Sequence, residues 1–372
     1  MEQSAFESFK HVLGNVKTQI FLASDSLINW DVATNIAFDL AGEGRPLGDR
    51  QALQEAYHDM VDIVTPFVVG YGGKQVNLSN PICVFDRKEW IIANIENTKI
   101  LLRSLSQNYW EALEDYLASA YRSGRWLKKA SEVTLTAEIG IMLGYLSRKV
   151  LAQYDMPLPR AKANISQNLL YFVEPNILML EKKFNLDPAH LRLWVVLHEL
   201  SHAYQFTACT WLRDYFNSLL DRYLKLIDDS VEALKNKINS KTKPLRWSRW
   251  WWQELLSPKH KEVVREIQAL MSLLEGYSDH LMFESGKKLP HYGKMAEIFR
   301  RRERSFAQKI LETLFGFNVK RQQYEWGERF VSYVVKNKGM DFFNQVWEEE
   351  KNLPQLSEIL NPALWITRLS KN

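Results

Sequence analysis

Six residues, Leu197-His198-Glu199-Leu200-Ser201-His202, constrain this chain more than any other stretch. They read H-E-x-x-H. In a helix, residues four apart lie on one face, one turn above the other, so His198 and His202 would present their imidazoles together. Two imidazoles so placed can share one zinc ion, with Glu199 beside them as a general base. The flanks predict that helix. Asp187 stands as an N-cap and Pro188 takes the first helical position, where its missing N–H costs nothing. Leu191, Leu193, Trp194, Val195, Val196 and Leu197 follow, apolar nearly all round, which predicts a buried helix. Polar side chains inside need partners, because an unpaired one costs several kcal/mol. A metal would supply that partner. The plainer alternative is a pair of core histidines bonded to backbone or water.

A tetrahedral catalytic zinc needs a third protein ligand and an open position for water. Ala203-Tyr204-Gln205-Phe206-Thr207-Ala208 follows the motif, without the nearby Gly and third His of one common pattern. The third ligand must therefore come from elsewhere. Ser272-Leu273-Leu274-Glu275-Gly276-Tyr277-Ser278-Asp279-His280 is the best source, on a helix predicted from about Glu262 to Phe283. Glu275 would bind the metal. Asp279, four residues on, would hold the far ring nitrogen of a zinc histidine. His280 competes for the ligand role, but it lies about 140° around the helix from Glu275, so one orientation cannot present both. A solvated helix carboxylate is the alternative for Glu275. Leu273, Leu274, Leu281 and Met282 argue against it.

Several segments together resemble the zincin-like metallopeptidase family, whose members carry a hydrolase label and an association with deazaflavin coenzyme biosynthesis. They are Asn29-Trp30-Asp31, Val84-Phe85-Asp86-Arg87, Gly140 through Ser147, Gln153-Tyr154-Asp155, Leu193-Trp194 through His198-Glu199 to His202, Gln205-Phe206-Thr207, Trp211-Leu212-Arg213-Asp214 and Leu274-Glu275-Gly276. Their order is the family's, across about residues 29 to 283. The resemblance implies a zinc-dependent, hydrolase-like fold with Glu275 as ligand, and it supplies no substrate. Tyr277 departs from the histidine that many members carry there.

Composition adds bounds. The chain has 372 residues, 46% hydrophobic and 25% charged, enough for one large or two modest domains. A net charge of +4 is weak support for a polyanionic partner. Cys83 and Cys209 lie far apart and suggest no disulfide framework, so a cytoplasmic location is expected. No signal peptide, transmembrane run or internal repeat is visible.

The elements expected are mostly helices. They cover residues 4–41 with a break before Trp30, then about 49–64, 89–106, 109–123, 134–152, 211–238 and 324–347. Gly70-Tyr71-Gly72-Gly73 reads as a turn. Pro81–Phe85 reads as a short strand. Asn168–Val173 is the best strand candidate, either a core strand or one that pairs with an extended substrate. Gly140 and Gly144 suggest close helix packing inside a core. Lys241–Trp252 interleaves basic residues with four Trp, which suits an indole-packed loop or lid better than a nucleic-acid or membrane surface. Arg300–Arg304 reads as a solvated helix face, and Trp365 is expected to dock onto the body.

A mainly α, zincin-like fold with at most a small short-stranded sheet follows. Its helical part would span 1–165 and its metal-binding part 166–372, together one compact unit. The expected activity is zinc-dependent hydrolysis of a peptide or other amide bond in a peptide or small-molecule substrate. His198, His202 and Glu275 would hold Zn²⁺, and Glu199 would act as base. Tyr204, Tyr277, His280 and His291 are candidate donors to the transition-state oxyanion. Two alternatives are a catalytically silent zincin-like binding protein and a nucleic-acid or membrane-surface binder working through 241–252. No nucleic-acid or membrane partner is expected.

Overall fold

The computed structural model describes residues 28–42, 47–99, 124–155, 168–239, 258–289, 291–301 and 325–371. The segments read as helical over 4–27 and 109–123, the Trp-rich stretch 241–252 and Arg302–Arg304 lie outside them. The fold is mainly helical with one small sheet, as expected. The chain forms two compact units, each drawn from separated stretches: 1–44, 87–149 and 221–261 in one, 45–86, 150–220 and 262–372 in the other. The expected cut near residue 165 is linear, whereas these units interleave along the chain. Among the described residues, no helix is long and apolar enough to cross a membrane.

In the first unit, α1 (Trp30–Ala41) starts at Asn29, whose side chain accepts from the Val32 amide at 3.1 Å. It packs on α3 (Gly124–Ser147) through Val32, Ile36 and Ala137. Gly140 and Gly144 make this possible. A Cβ at either would lie 2.7–2.8 Å from atoms of α1, among them the carbonyl oxygens of Ala33 and Ala37. α3 ends at Ser147, not Ala152; Ala152 belongs instead to a strand.

The second unit holds the sheet and the H-E-x-x-H helix. Helix α2 (Arg50–Gly72) begins at Asp49, as expected, but runs past Val64 through Pro66. Gly70, Tyr71 and Gly72 are its last turn rather than a loop, and Gly73 caps it at φ +75°. The reason is tertiary. Gly72 packs so closely on the ring of Tyr204 that a Cβ there would overlap it. Strands β1 (Ile82–Phe85), β2 (Ala152–Tyr154) and β3 (Leu170–Val173) form a sheet in the order β1-β3-β2. β1 runs parallel to β3, with Ile82 opposite Leu170. β2 runs antiparallel to it, with Gln153 opposite Tyr171. All four β3 residues are buried, as a continuous apolar run in a central strand should be. Both edges of β3 are thus occupied, and among the described residues β1 and β2 are the outer strands.

Helix α4 (Glu174–Phe184) separates β3 from α5 (Pro188–Ala208), the motif helix. α5 starts at Asp187, whose side chain accepts from the His190 amide at 2.9 Å. Buried Glu174 ties these elements together. It accepts from Tyr57 of α2 at 2.7 Å and from Arg192 of α5, a charge-assisted pair that satisfies both ions inside the core.

Helices α6 (Leu212–Asn239) and α7 (Pro258–Gly286) each contribute residues to both units. Beyond α8 (Tyr292–Arg301), α9 (Glu325–Lys338) buries Phe330, Val331 and Val334. It stops short of Trp347, because Gly339 turns the chain at φ +85° before the short α10 (Met340–Asn344). Trp365 docks as expected, fully buried, its indole donating to the Asn352 carbonyl at 2.8 Å.

Candidate metal centre

Helices α5 and α7 bring the two halves of the site together. His198 and His202 share one face of α5, their ring centroids 5.0 Å apart and the rings nearly perpendicular at 86°. Glu275 arrives from α7, only 8% exposed. Its Oε2 lies 3.7 Å from His198 Nε2 and 3.8 Å from His202 Nε2. One donor atom from each of the three residues falls within 4.8 Å of the others. Bond lengths near 2.0–2.1 Å to a tetrahedral zinc put neighbouring ligand atoms about 3.3 Å apart. The three donors therefore need only a small inward movement to share one ion. Two imidazoles and one carboxylate also match zinc's preference for nitrogen with a harder oxygen donor.

Asp279 lies one turn beyond Glu275, with Oδ1 3.7 Å from His198 Nδ1. That is too long for a direct hydrogen bond. Accordingly His198 Nδ1 is buried without a hydrogen-bond partner among the described residues. The Asp279 side chain keeps 42% of its exposure. Its carboxyl is nonetheless raised above the ordinary range, first by partial burial and then by Glu275, against the pull of His198.

Glu199 turns toward the sheet. The Tyr154 amide, on the side of β2 away from β3, donates to its Oε2 at 2.9 Å. The base candidate is thus held at the side of β2 that faces away from β3, because residues of an antiparallel strand alternate between pairing inward and facing out. The Tyr154 ring also stacks on Phe206 of α5, with centroids 5.9 Å apart.

The candidate oxyanion donors are placed elsewhere. Tyr204 lies two residues past His202, and Tyr277 two past Glu275; each is about 200° around its helix from the ligand. The Tyr204 hydroxyl accepts from the Lys74 amide at 3.0 Å. Tyr277 is fully buried against Tyr71 and Trp347, and its phenol is held well above the usual range by burial. His280 hydrogen-bonds to Tyr71. His291 packs on His190, eight residues before His198 and so about 12 Å along the axis. None of the four is brought among the three ligand candidates.

Two residues named above without a role do reach the site. Gln205 Oε1 and Ser278 Oγ each lie 3.2 Å from His202 Nδ1. Their signal was the three-residue step, since Gln205 follows His202 and Ser278 follows Glu275 by three, which places each near a ligand on its own helix.

The sequence profile of zincin-like metallopeptidases matches residues 28–366. The chain belongs to this family. Its H-E-x-x-H helix and the glutamate from α7 therefore sit in a zincin-like context, which implies a bound metal, typically zinc. A crystal structure from Chloroflexus aurantiacus, described as "a putative hydrolase with a novel fold", is 32% identical to this zincin-like chain. The match covers 93% of this chain and 99% of the other, with a TM-score of 0.69. Comparison with curated proteins yields no match.

Proposed function

We propose that this zincin-like protein is a zinc-dependent hydrolase that cleaves a peptide or other amide bond. The observation that carries the reading is the convergence of His198 Nε2, His202 Nε2 and Glu275 Oε2 from two helices, with Glu199 next to His198 along α5. A zinc held there would lower the pKa of a water and polarise the scissile carbonyl. Glu199 takes the water's proton and returns it to the leaving amine. The Tyr154 amide keeps the Glu199 carboxylate oriented for this task. The reading also places an extended substrate along the side of β2 that faces away from β3, a mode that uses main-chain hydrogen bonds and so suits a peptide. This moves the substrate-pairing role from β3, where the sequence placed it as one option, to β2.

Glu199→Gln tests the reading, because it removes the base and leaves every metal ligand. The variant should carry as much zinc as the parent by elemental analysis and hydrolyse a peptide library at least about 100-fold more slowly. A parent protein that binds no zinc on reconstitution would end the metalloenzyme reading. Hydrolysis at the parental rate would remove Glu199 from the mechanism.

A further inference from the structure

We infer that Gln205 and Ser278 form an uncharged lock that fixes the tautomer of His202 and leaves its Nε2 lone pair for the metal; this rests on the metal-site reading above. The Leu274 carbonyl can only accept a hydrogen bond. Gln205 Nε2 lies 2.9 Å from it. Turning the amide over would oppose two oxygens at that distance, so the nitrogen must face Leu274 and the oxygen must face His202. Gln205 Oε1, 3.2 Å from His202 Nδ1, can also only accept. The hydrogen must therefore sit on Nδ1.

Ser278 is compatible with the same tautomer. Its hydroxyl donates back to the Leu274 carbonyl at 3.1 Å, one helical turn earlier. Its lone pairs are then left for Gln205 Nε2 at 3.3 Å and for His202 Nδ1 at 3.2 Å. A neutral imidazole with its hydrogen on Nδ1 carries its lone pair on Nε2. That is the nitrogen facing Glu275.

The lock ends on a backbone carbonyl one residue before Glu275, so it also registers α5 against α7 at the ligand. Gln205 is 1% exposed and Ser278 is fully buried. In such surroundings hydrogen bonds are strong and water does not compete. None of the lock's members ionises in the ordinary pH range. His198 is treated differently, since its Nδ1 faces the half-exposed carboxylate of Asp279 without a direct bond. Gln205 and Ser278 are positioning residues, and they act through His202.

The test uses the full chain labelled with 15N-histidine and stripped of metal, at a pH that keeps His202 neutral. Long-range 15N–1H correlation reads the tautomer, and chelator competition reads zinc affinity. The parent should show the hydrogen on Nδ1 of His202. Gln205→Met keeps the side-chain volume and removes both hydrogen-bonding ends. It should mix the His202 tautomers and weaken zinc binding by roughly 10–100-fold, as losses behind a metal ligand do. A loss of packing alone would weaken zinc binding without mixing the tautomers. Should Gln205→Met fail to fold, Ser278→Ala, which removes one acceptor, should shift the same two readouts less. A parent with the hydrogen on Nε2, or a folded Gln205→Met with parental zinc affinity, would overturn the lock. A parent that shows the inferred tautomer but binds no zinc would instead refute the metal reading.

Discussion

Replacing Gly276 by Ala would test how tightly the helix bearing Glu275 is held. A Cβ at 276 would lie 2.2 Å from the carbonyl carbon of Gly327 and 2.5 Å from its oxygen. The reciprocal Cβ at 327 would lie 2.0 Å from the Ser272 oxygen. Both obstacles are backbone, so no side chain can rotate aside. Carbon atoms pack at about 3.5–4.0 Å, so α7 and α9 must part by at least about 1.3 Å. Without crowding, Ala would favour the helix over Gly by about 1 kcal/mol. Overpacking costs about 1–3 kcal/mol, and movement of two backbones belongs at the upper end. The net loss should be about 2 kcal/mol, worth roughly 2–4 °C of Tm per kcal/mol in a large domain. A shift of that size also exceeds the roughly 0.2 Å within which metal–ligand distances must fall. Zinc affinity should drop although every ligand is intact. Thermal scans with and without zinc, together with chelator competition, measure both effects. A variant stabilised by about 1 kcal/mol with unchanged zinc affinity would refute the close crossing.

Two further outcomes separate the neighbours on α7. Glu275→Ala should lose most bound zinc by elemental analysis while His280→Ala keeps it, because His280 bonds to Tyr71; the reverse pattern would exchange their roles. Asp279→Ala should retain the metal but bind it roughly 10–100-fold more weakly. The pH dependence follows from His198. Burial lowers its pKa, but Glu275, Glu199 and Asp279 outweigh burial and raise it from 6.5 to about 9 in the metal-free protein. A folded-state pKa raised in this way stabilises the metal-free fold fully below pH 6.5, and that contribution is lost as pH climbs through about 9. Zinc must displace the same proton, so zinc affinity should rise with pH up to about 9. Calorimetry in buffers of different ionisation heat should find about one proton released from His198 per zinc near neutral pH; none released would contradict this account.

The helices were legible where their signals are local. Asp187 and Pro188 announce α5, Asp49 announces α2 and Asn29 announces α1, because a cap satisfies amides only two or three residues away. β3 was legible from an apolar run too short for a helix. The errors fell where a distant partner decides. Gly70 and Gly72 look like a turn in isolation, yet the ring of Tyr204 makes the missing side chain a requirement of helix packing. Ala152 continues the apolar pattern of α3, yet pairing with Phe172 claims it for a strand.

The candidate site shows the same division. His198 and His202 are set by a four-residue spacing, so the sequence carries their geometry directly. Glu275 was readable because a carboxylate among Leu273, Leu274, Leu281 and Met282 must find a counterpart inside. What surrounds the histidines was not readable, because it depends on how α5 meets α7. Gln205 is an ordinary amide until the Leu274 carbonyl dictates which of its ends faces His202. Tyr154 is an ordinary strand residue until pairing of β2 with β3 turns its amide toward Glu199. Spacing therefore specifies which atoms can bind a metal, while tertiary hydrogen bonds determine which lone pairs point at it. A change that leaves the H-E-x-x-H pattern intact can still disable the site by acting on Gln205, Ser278 or Gly276.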